Sequence, residues 1–470
     1  MSRIEFDWPD EGAERVRAAE GRLRLAGEEL ARRPFEARLA SVAAVLDDWT
    51  RPDSPYRREL AAALAEATPF TAATIKEGLD SALRAWRPAD FIACAEREIG
   101  GTTRAGRCSL VPFEWTTVIA GGALPMPTML SGLLPLVLGS PVLLRETSKD
   151  PVTARLLARS IARRDETLAA AFEPIAFPSD DTMALEAALA APCVVATGSD
   201  ETLASISSRL SPTQRFVGYG HRFSIAILGP TMDDDALMEA AAGLALDVSR
   251  WDQSGCLSPV VAYLVGWERE AQRHFASRLD DALRRVSADL PRGEIELDRS
   301  ISIAHERREA RMRAAMGGML FEGSDHTVVL ETDARPRPAP LGRFIRLLPV
   351  ESPAALIRSL EPFAGHLSNV CFAGLREVDE RGEIEDAPRE DAALPPRETP
   401  AAASPIPPRE APSAESPIPP AWARLGVSRF TSPGRLQTPP IDWPHDGLPL
   451  FVPLARFTNE DLGRHTTKVD

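Results

Sequence analysis

The chain has 470 residues, 44% hydrophobic and 26% charged, with a formal net charge of −14. That length carries two domains with substantial cores, and the acidic balance excludes a nucleic-acid-binding body or an anionic membrane surface as the main partner. Five cysteines (Cys94, Cys108, Cys193, Cys256, Cys371) form no Cys-x-x-Cys pair and no zinc spacing, which predicts a reduced, cytoplasmic chain without a metal.

Residues 1–110 read as a helical N-terminal region, with polar and apolar residues mixed at helical spacing in 14–46 and 56–86. The first residues, Met-Ser-Arg-Ile-Glu-Phe-Asp-Trp, lack the apolar core of a signal peptide. From Val111 the pattern changes to short apolar runs alternating with helices. Strands are predicted at 116–120, 142–144, 172–177 and 193–196, and helices at 129–138, 151–164, 183–190 and 201–209. That alternation signals a parallel sheet covered on both faces, so 111–231 is predicted to be a nucleotide-binding α/β domain. The most apolar stretch, 118–144, is broken by glycines and prolines and makes a poor membrane span.

No Gly-x-Gly-x-x-Gly follows any predicted strand. Ala196-Thr197-Gly198-Ser199-Asp200-Glu201 does follow a strand and open a helix, where backbone N–H groups can face a pyrophosphate. A plain helix cap on Ser199 or Asp200 is the commoner meaning of such a segment. Arg145 and Lys149 lie just past the 142–144 strand, where such a sheet meets an adenosine ribose, and an arginine there can pair with a 2′-phosphate. Tyr219-Gly220-His221-Arg222 precedes the apolar strand 223–228, so His221 is a proton-donor candidate or a residue that merely finishes a strand end.

A second α/β unit, 232–378, opens with a helix at 236–248 and a strand at 260–265. Between them lies Trp251-Asp252-Gln253-Ser254-Gly255-Cys256-Leu257-Ser258-Pro259. A thiol on that connection is open to a substrate from one side, whereas a cysteine inside a helix or strand is usually inert filler. Pattern alone leaves the two readings even. After Val378 the composition turns proline-rich. Residues 379–421 are a linker holding two tandem twelve-residue copies, 395–406 and 407–418, read as an extended spacer. Aromatic and apolar residues return at 425–462, so the tail 422–470 is expected to dock on the body.

Taken in order, these segments resemble the aldehyde dehydrogenase superfamily, and within it the bioluminescence-type (LuxC-like) long-chain acyl-CoA reductases. Asp252-Gln253-Ser254-Gly255-Cys256-Leu257-Ser258-Pro259 is similar to that family's Asp-Gln-x-x-Cys-x-Ser-Pro. The 196–201 segment is similar to its cofactor turn, and 219–222 to its Tyr-Gly-His-Lys/Arg strand entry. Gly426-Val427-Ser428-Arg429 with Trp443-Pro444-His445-Asp446-Gly447 resembles its C-terminal signature. The resemblance implies an aldehyde dehydrogenase-like α/β fold, a Rossmann-type cofactor domain beside a catalytic domain, and a homo-oligomer. It implies reduction of an acyl-CoA or acyl-protein thioester to an aldehyde through acylated Cys256. Gly198 and Ser199 would flank the pyrophosphate, and Arg145 and Thr147 would lie near the adenosine ribose. The cofactor would be NADPH, towards which Arg145 tilts the choice, or NADH.

Two departures stand out. Gly122-Ala123-Leu124-Pro125 replaces the family's Gly-Asn-Val-Pro, removing an amide that can hold a developing oxyanion and leaving the Cys256 N–H for that task. The proline linker is the second. Gly218-Tyr219-Gly220-His221-Arg222 stands where hydrolytic aldehyde dehydrogenases carry Glu-Leu-Gly-Gly-Lys, so their glutamate base is absent, as suits reduction rather than hydrolysis. The alternatives are a CoA-acylating aldehyde dehydrogenase, or a catalytically weak acyl-carrying or scaffold protein of the same fold.

Overall fold

Short β-branched runs flanked by helices cannot satisfy their backbone as isolated strands, and they assemble here into two largely parallel sheets. A computed structural model describes residues 12–101, 108–375, 422 and 424–459. The N-terminal region is helical at Ala13–Arg32, Phe35–Thr50, Pro55–Ala67, Ala72–Ala85 and Pro88–Ala95, ending in a π turn at Glu96–Gly100. A short strand β1 (Cys108–Leu110) follows.

The first sheet is built from β2 (Thr116–Ile119), β3 (Val142–Arg145), β4 (Phe172–Ile175), β5 (Cys193–Thr197) and β6 (Arg215–Tyr219). Its order is β4-β3-β2-β5-β6 with every pair parallel. The chain winds outwards from β2 to β4, then returns to β5 on the other side of β2. The crevice at the carboxyl ends of β2 and β5 is therefore the switch point at which such sheets take ligands. The helix after β2 starts earlier than its spacing predicts, at Pro125, because proline suits a first helical turn; Gly139, at φ 86°, ends it.

The second sheet combines β7 (Phe223–Leu228), β8 (Pro259–Val265), β9 (Met319–Glu322), β10 (Thr327–Leu330), β11 (Phe344–Val350), β12 (Leu367–Ala373) and β13 (Arg429–Thr431), in the order β13-β12-β7-β8-β11-β10-β9. Only the β9–β10 pair is antiparallel. Strand β7 begins just after β6, which suggests one sheet when read along the chain, yet its hydrogen bonds go to β8 and β12. The crossover between sheets is thus Gly220–Arg222, upstream of the boundary expected at 231.

The tail joins both halves. β13 extends the second sheet beside β12, and β14 (Phe457–Asn459) pairs with β1. Trp422 and Leu425 enter one core cluster, Leu436 a second, and Ile441, Leu450, Phe451 and Leu454 a third. The linker at 379–421 and its repeat lie outside the described residues. No helix among the described residues is long and apolar enough to cross a membrane.

Candidate active site

Three consecutive residues before the cysteine, Trp251, Asp252 and Gln253, hold left-handed φ values of 52°, 49° and 64°. Each costs about 1–2 kcal/mol relative to right-handed backbone, so each needs a side-chain contact that fixes it. Asp252 Oδ1 accepts from Arg343 Nε (2.9 Å) and Nη2 (2.6 Å), and its Oδ2 accepts from the Gly293 N–H (3.0 Å). Gln253 donates to the carbonyls of Pro259 (2.8 Å) and Phe344 (3.0 Å), and accepts from the Phe344 N–H (2.9 Å). Trp251 is buried edge-on against Phe70, 5.4 Å between ring centres. The Asp-Gln of the motif is therefore what holds the turn onto the second sheet. Beyond it, Ser224 Oγ donates to the Cys256 carbonyl (2.8 Å), and the tail residue Gln437 donates to Ser258 Oγ (2.7 Å).

Cys256 opens onto a cavity of about 820 Å³ between the two sheets, within the range of about 300–1,000 Å³ usual for small-molecule sites. At one end lie Gly121, Gly122 and Gly198, at the carboxyl ends of β2 and β5. A Cβ on Gly121 would sit 2.1 Å from the Thr197 carbonyl oxygen, and one on Gly122, at φ 83°, would meet nothing within 4 Å. The strand ends are thus locked together beneath a floor bare of side chains. The other end is apolar, lined by Val260, Val261, Tyr263, Leu348, Phe363 and Leu341. Buried Arg346 anchors its rim, donating to the Pro338 carbonyl (2.9 Å) and to Glu331 (2.7 Å).

The thiol faces the cavity, but protein encloses the sulfur on its remaining sides. That desolvation, and next the Asp446 carboxylate, push its pKa up to about 12. The backbone N–H groups of Cys256 and Leu257 and the Arg222 guanidinium pull the other way. Those two N–H groups point towards the sulfur, whereas Ala123 offers the cavity only a methyl group. Tyr219, pushed up to about 12 by burial, stacks on His445 at 4.6 Å and 12°. Burial holds the His445 imidazole below its ordinary range.

Of the residues singled out from sequence, Cys256, Gly198, Ser199 and His221 line this one cavity. Ser199 also caps the helix Asp200–Ser207, accepting from the Thr202 N–H. The His221 N–H donates to Asp200 Oδ1 (2.9 Å), which ties the β6–β7 connection to that helix. Arg145, the last residue of β3, and Thr147, just beyond it, are not among the residues lining the cavity. Arg145 Nη2 donates to the Phe177 carbonyl (3.0 Å) and its guanidinium lies over the Phe177 ring; Thr147 Oγ1 accepts from the Lys149 N–H (3.2 Å). Sequence reasoning missed His445, Asp446, Arg222 and Gln437. The signal for His445 and Asp446 was the Trp-Pro-His-Asp-Gly segment and that for Arg222 the Tyr-Gly-His-Arg segment, whose meeting in space nothing local reveals; Gln437 had no signal.

A family model described as acyl-CoA reductase (LuxC) matches residues 30–381. The long-chain acyl-protein thioester reductase of Aliivibrio fischeri is 24% identical over 196 residues, spanning 41% of this chain and 40% of that protein. Among solved structures, the glyceraldehyde-3-phosphate dehydrogenase of Methanocaldococcus jannaschii complexed with NADP superposes with a TM-score of 0.66 at 9% identity, covering 96% of this chain and 94% of that one. An aldehyde dehydrogenase from Brucella melitensis gives 0.65 at 13% identity, covering 96% and 90%. At these identities the structures show the aldehyde dehydrogenase-like fold.

Proposed function

The chain belongs to the LuxC acyl-CoA reductase family, and from that premise we propose that it reduces a fatty acyl thioester to an aldehyde through an acyl-Cys256 intermediate. The observation that carries this reading is one cavity holding an accessible thiol between a glycine floor and an apolar pocket. The thiolate attacks the thioester carbonyl, the donor thiol departs, and the N–H groups of Cys256 and Leu257 hold the carbonyl oxygen. Val260, Val261, Leu348 and Phe363 receive the acyl chain.

A nicotinamide dinucleotide fits the opposite end. Gly121, Gly122 and Gly198 allow close backbone approach at the switch point, with Ser199 beside them and with Arg145 and Thr147 in reach of the adenosine ribose. NADPH is the favoured form. Bound there, it supplies the hydride that turns a thioester into an aldehyde. The acyl donor is coenzyme A or a carrier protein. The family's description supports the first, and the name of the Aliivibrio fischeri relative supports the second.

NADPH and NADH oxidation with thioesters of increasing chain length, on wild type and Cys256→Ala, tests the assignment. Oxidation should need both thioester and Cys256, and nucleotide binding should survive the substitution. Thioester-dependent oxidation retained by Cys256→Ala would sink it.

A further inference from the structure

The tail turn Trp443–Gly447 brings a carboxylate to the wall of the cavity that holds Cys256. Only 4% of the Asp446 side chain is exposed, and its Oδ1 accepts no hydrogen bond. Its Oδ2 lies 3.6 Å from Arg222 Nε, and Oδ1 lies 3.8 Å from His445 Nε2. Among the groups facing it, His445 is kept neutral by burial and Tyr219 protonated, so Arg222 is the cation. Asp446 sits at φ 54°, and the turn is fixed on both sides. His445 stacks on Tyr219 and meets Trp443 at a tilt, and Glu98 accepts from the N–H groups of Leu450 (3.1 Å), Phe451 (2.8 Å) and Val452 (3.2 Å). A buried carboxylate with an unused acceptor, on the wall of the same cavity as a thiol and near enough to act on it electrostatically, is placed to handle protons. The β6–β7 connection brings no carboxylate of its own to the cavity wall, which there consists of Tyr219, Gly220, His221 and Arg222.

We propose that Asp446 carries the proton of the acyl-transfer step, taking it from the Cys256 thiol as sulfur attacks the thioester and giving it to the departing thiolate. A carbon–sulfur bond forms to Cys256, the bond to the donor sulfur breaks, and the donor leaves as a neutral thiol with no net change in protons. Arg222 steadies the carboxylate while it is charged. The inference rests on the thioester reading above.

The test is Asp446→Asn, which removes the proton acceptor, keeps the shape, and suits a left-handed position because asparagine tolerates positive φ. Acylation of Cys256 is followed by mass spectrometry with one decanoyl group on two leaving groups: coenzyme A, whose alkyl thiolate needs a proton, and 4-nitrothiophenol, whose thiolate does not. The variant should lose about 100-fold or more with the coenzyme A thioester, in line with general acid–base contributions of about 10²–10⁴, and clearly less with the aryl thioester, which still needs the proton taken from Cys256 but none returned to its leaving group. Its Cys256 should also be alkylated by iodoacetamide at lower pH than wild type, since a negative neighbour is gone. Equal losses on both donors, no loss on either, or an unmoved alkylation profile would overturn the proposal. Wild type that neither thioester acylates would overturn the thioester reading as well.

Discussion

Gly78 is glycine because of an indole. A Cβ there would sit 2.2 Å from Trp251 Cε2 and 2.4 Å from Cζ2, in a ring that is buried and cannot swing aside. Since Trp251 is the first of the three left-handed residues, its seat sets the direction in which the chain enters the Cys256 turn. Gly78→Ala is expected to cost about 1–3 kcal/mol through overpacking and to slow acylation of Cys256 more than it weakens nucleotide binding, whose glycine floor lies on other elements. A thermal midpoint measured beside an acylation rate checks this, and equal effects on acylation and nucleotide affinity would contradict it. At this scale the sequence was legible where chemistry is local. Small residues around Cys256 mark it as a turn thiol, but no local pattern tells that Asp252 and Gln253 spend every polar atom on Arg343, Gly293, Phe344 and Pro259. Pro259 is only six residues on, but Gly293, Arg343 and Phe344 lie 41 to 91 residues away, and only the folded chain brings them near.

At the scale of elements, strand and helix runs were readable from their periods because each buries a face on its own sheet, whereas the strand order was not. Sequence adjacency placed β7 with β6, and hydrogen bonding placed it between β8 and β12. The helix Asp234–Ser249 shows a second contact invisible to its own period. Asp247, inside the helix and fully buried, accepts from the N–H of Gly434 in the tail (2.7 Å). Desolvation pushes its pKa up to about 7 from an ordinary 3.8, outweighing the Gly434 hydrogen bond and the more distant Arg250. The folded state therefore binds a proton that the unfolded chain releases near pH 4. This contribution to stability is fully present below about pH 4 and is lost as pH rises through about 7. Asn at 247 keeps an acceptor for Gly434 without a charge to desolvate. Asp247→Asn should thus gain on wild type by on the order of 3 kcal/mol as pH rises from 5 to 8, since about two pKa units at 1.36 kcal/mol each are crossed in that window. Thermal unfolding of both proteins at the two pH values decides it, and a pH-independent difference would refute the account.

For the whole molecule, the tail binds the two sheets to each other and to the helical N-terminal region. Gln437 donates to the Asp247 carbonyl (2.6 Å), the Arg250 carbonyl (3.0 Å) and Ser258 Oγ (2.7 Å), so a tail side chain spans the loop that carries Cys256. Glu98 holds three tail N–H groups from the other side. Tail apolar side chains complete three separate cores, which means that none of those cores is closed without it. The return of apolar residues after 425 announces this docking in the sequence; its destination depends on three-dimensional closure. A chain ending at residue 421 is therefore expected to bind the dye ANS through uncovered apolar surface, to melt at lower temperature, and to lose acylation of Cys256 even by an activated aryl thioester. Asp446→Asn, by contrast, should keep its melting temperature and far more reactivity towards that donor than the truncated chain retains. The pair separates the tail's two tasks, closing the body and supplying a proton carrier. Truncated protein that still acylates at the wild-type rate would show that the nucleophile turn stands without Gln437, and would confine the tail to packing.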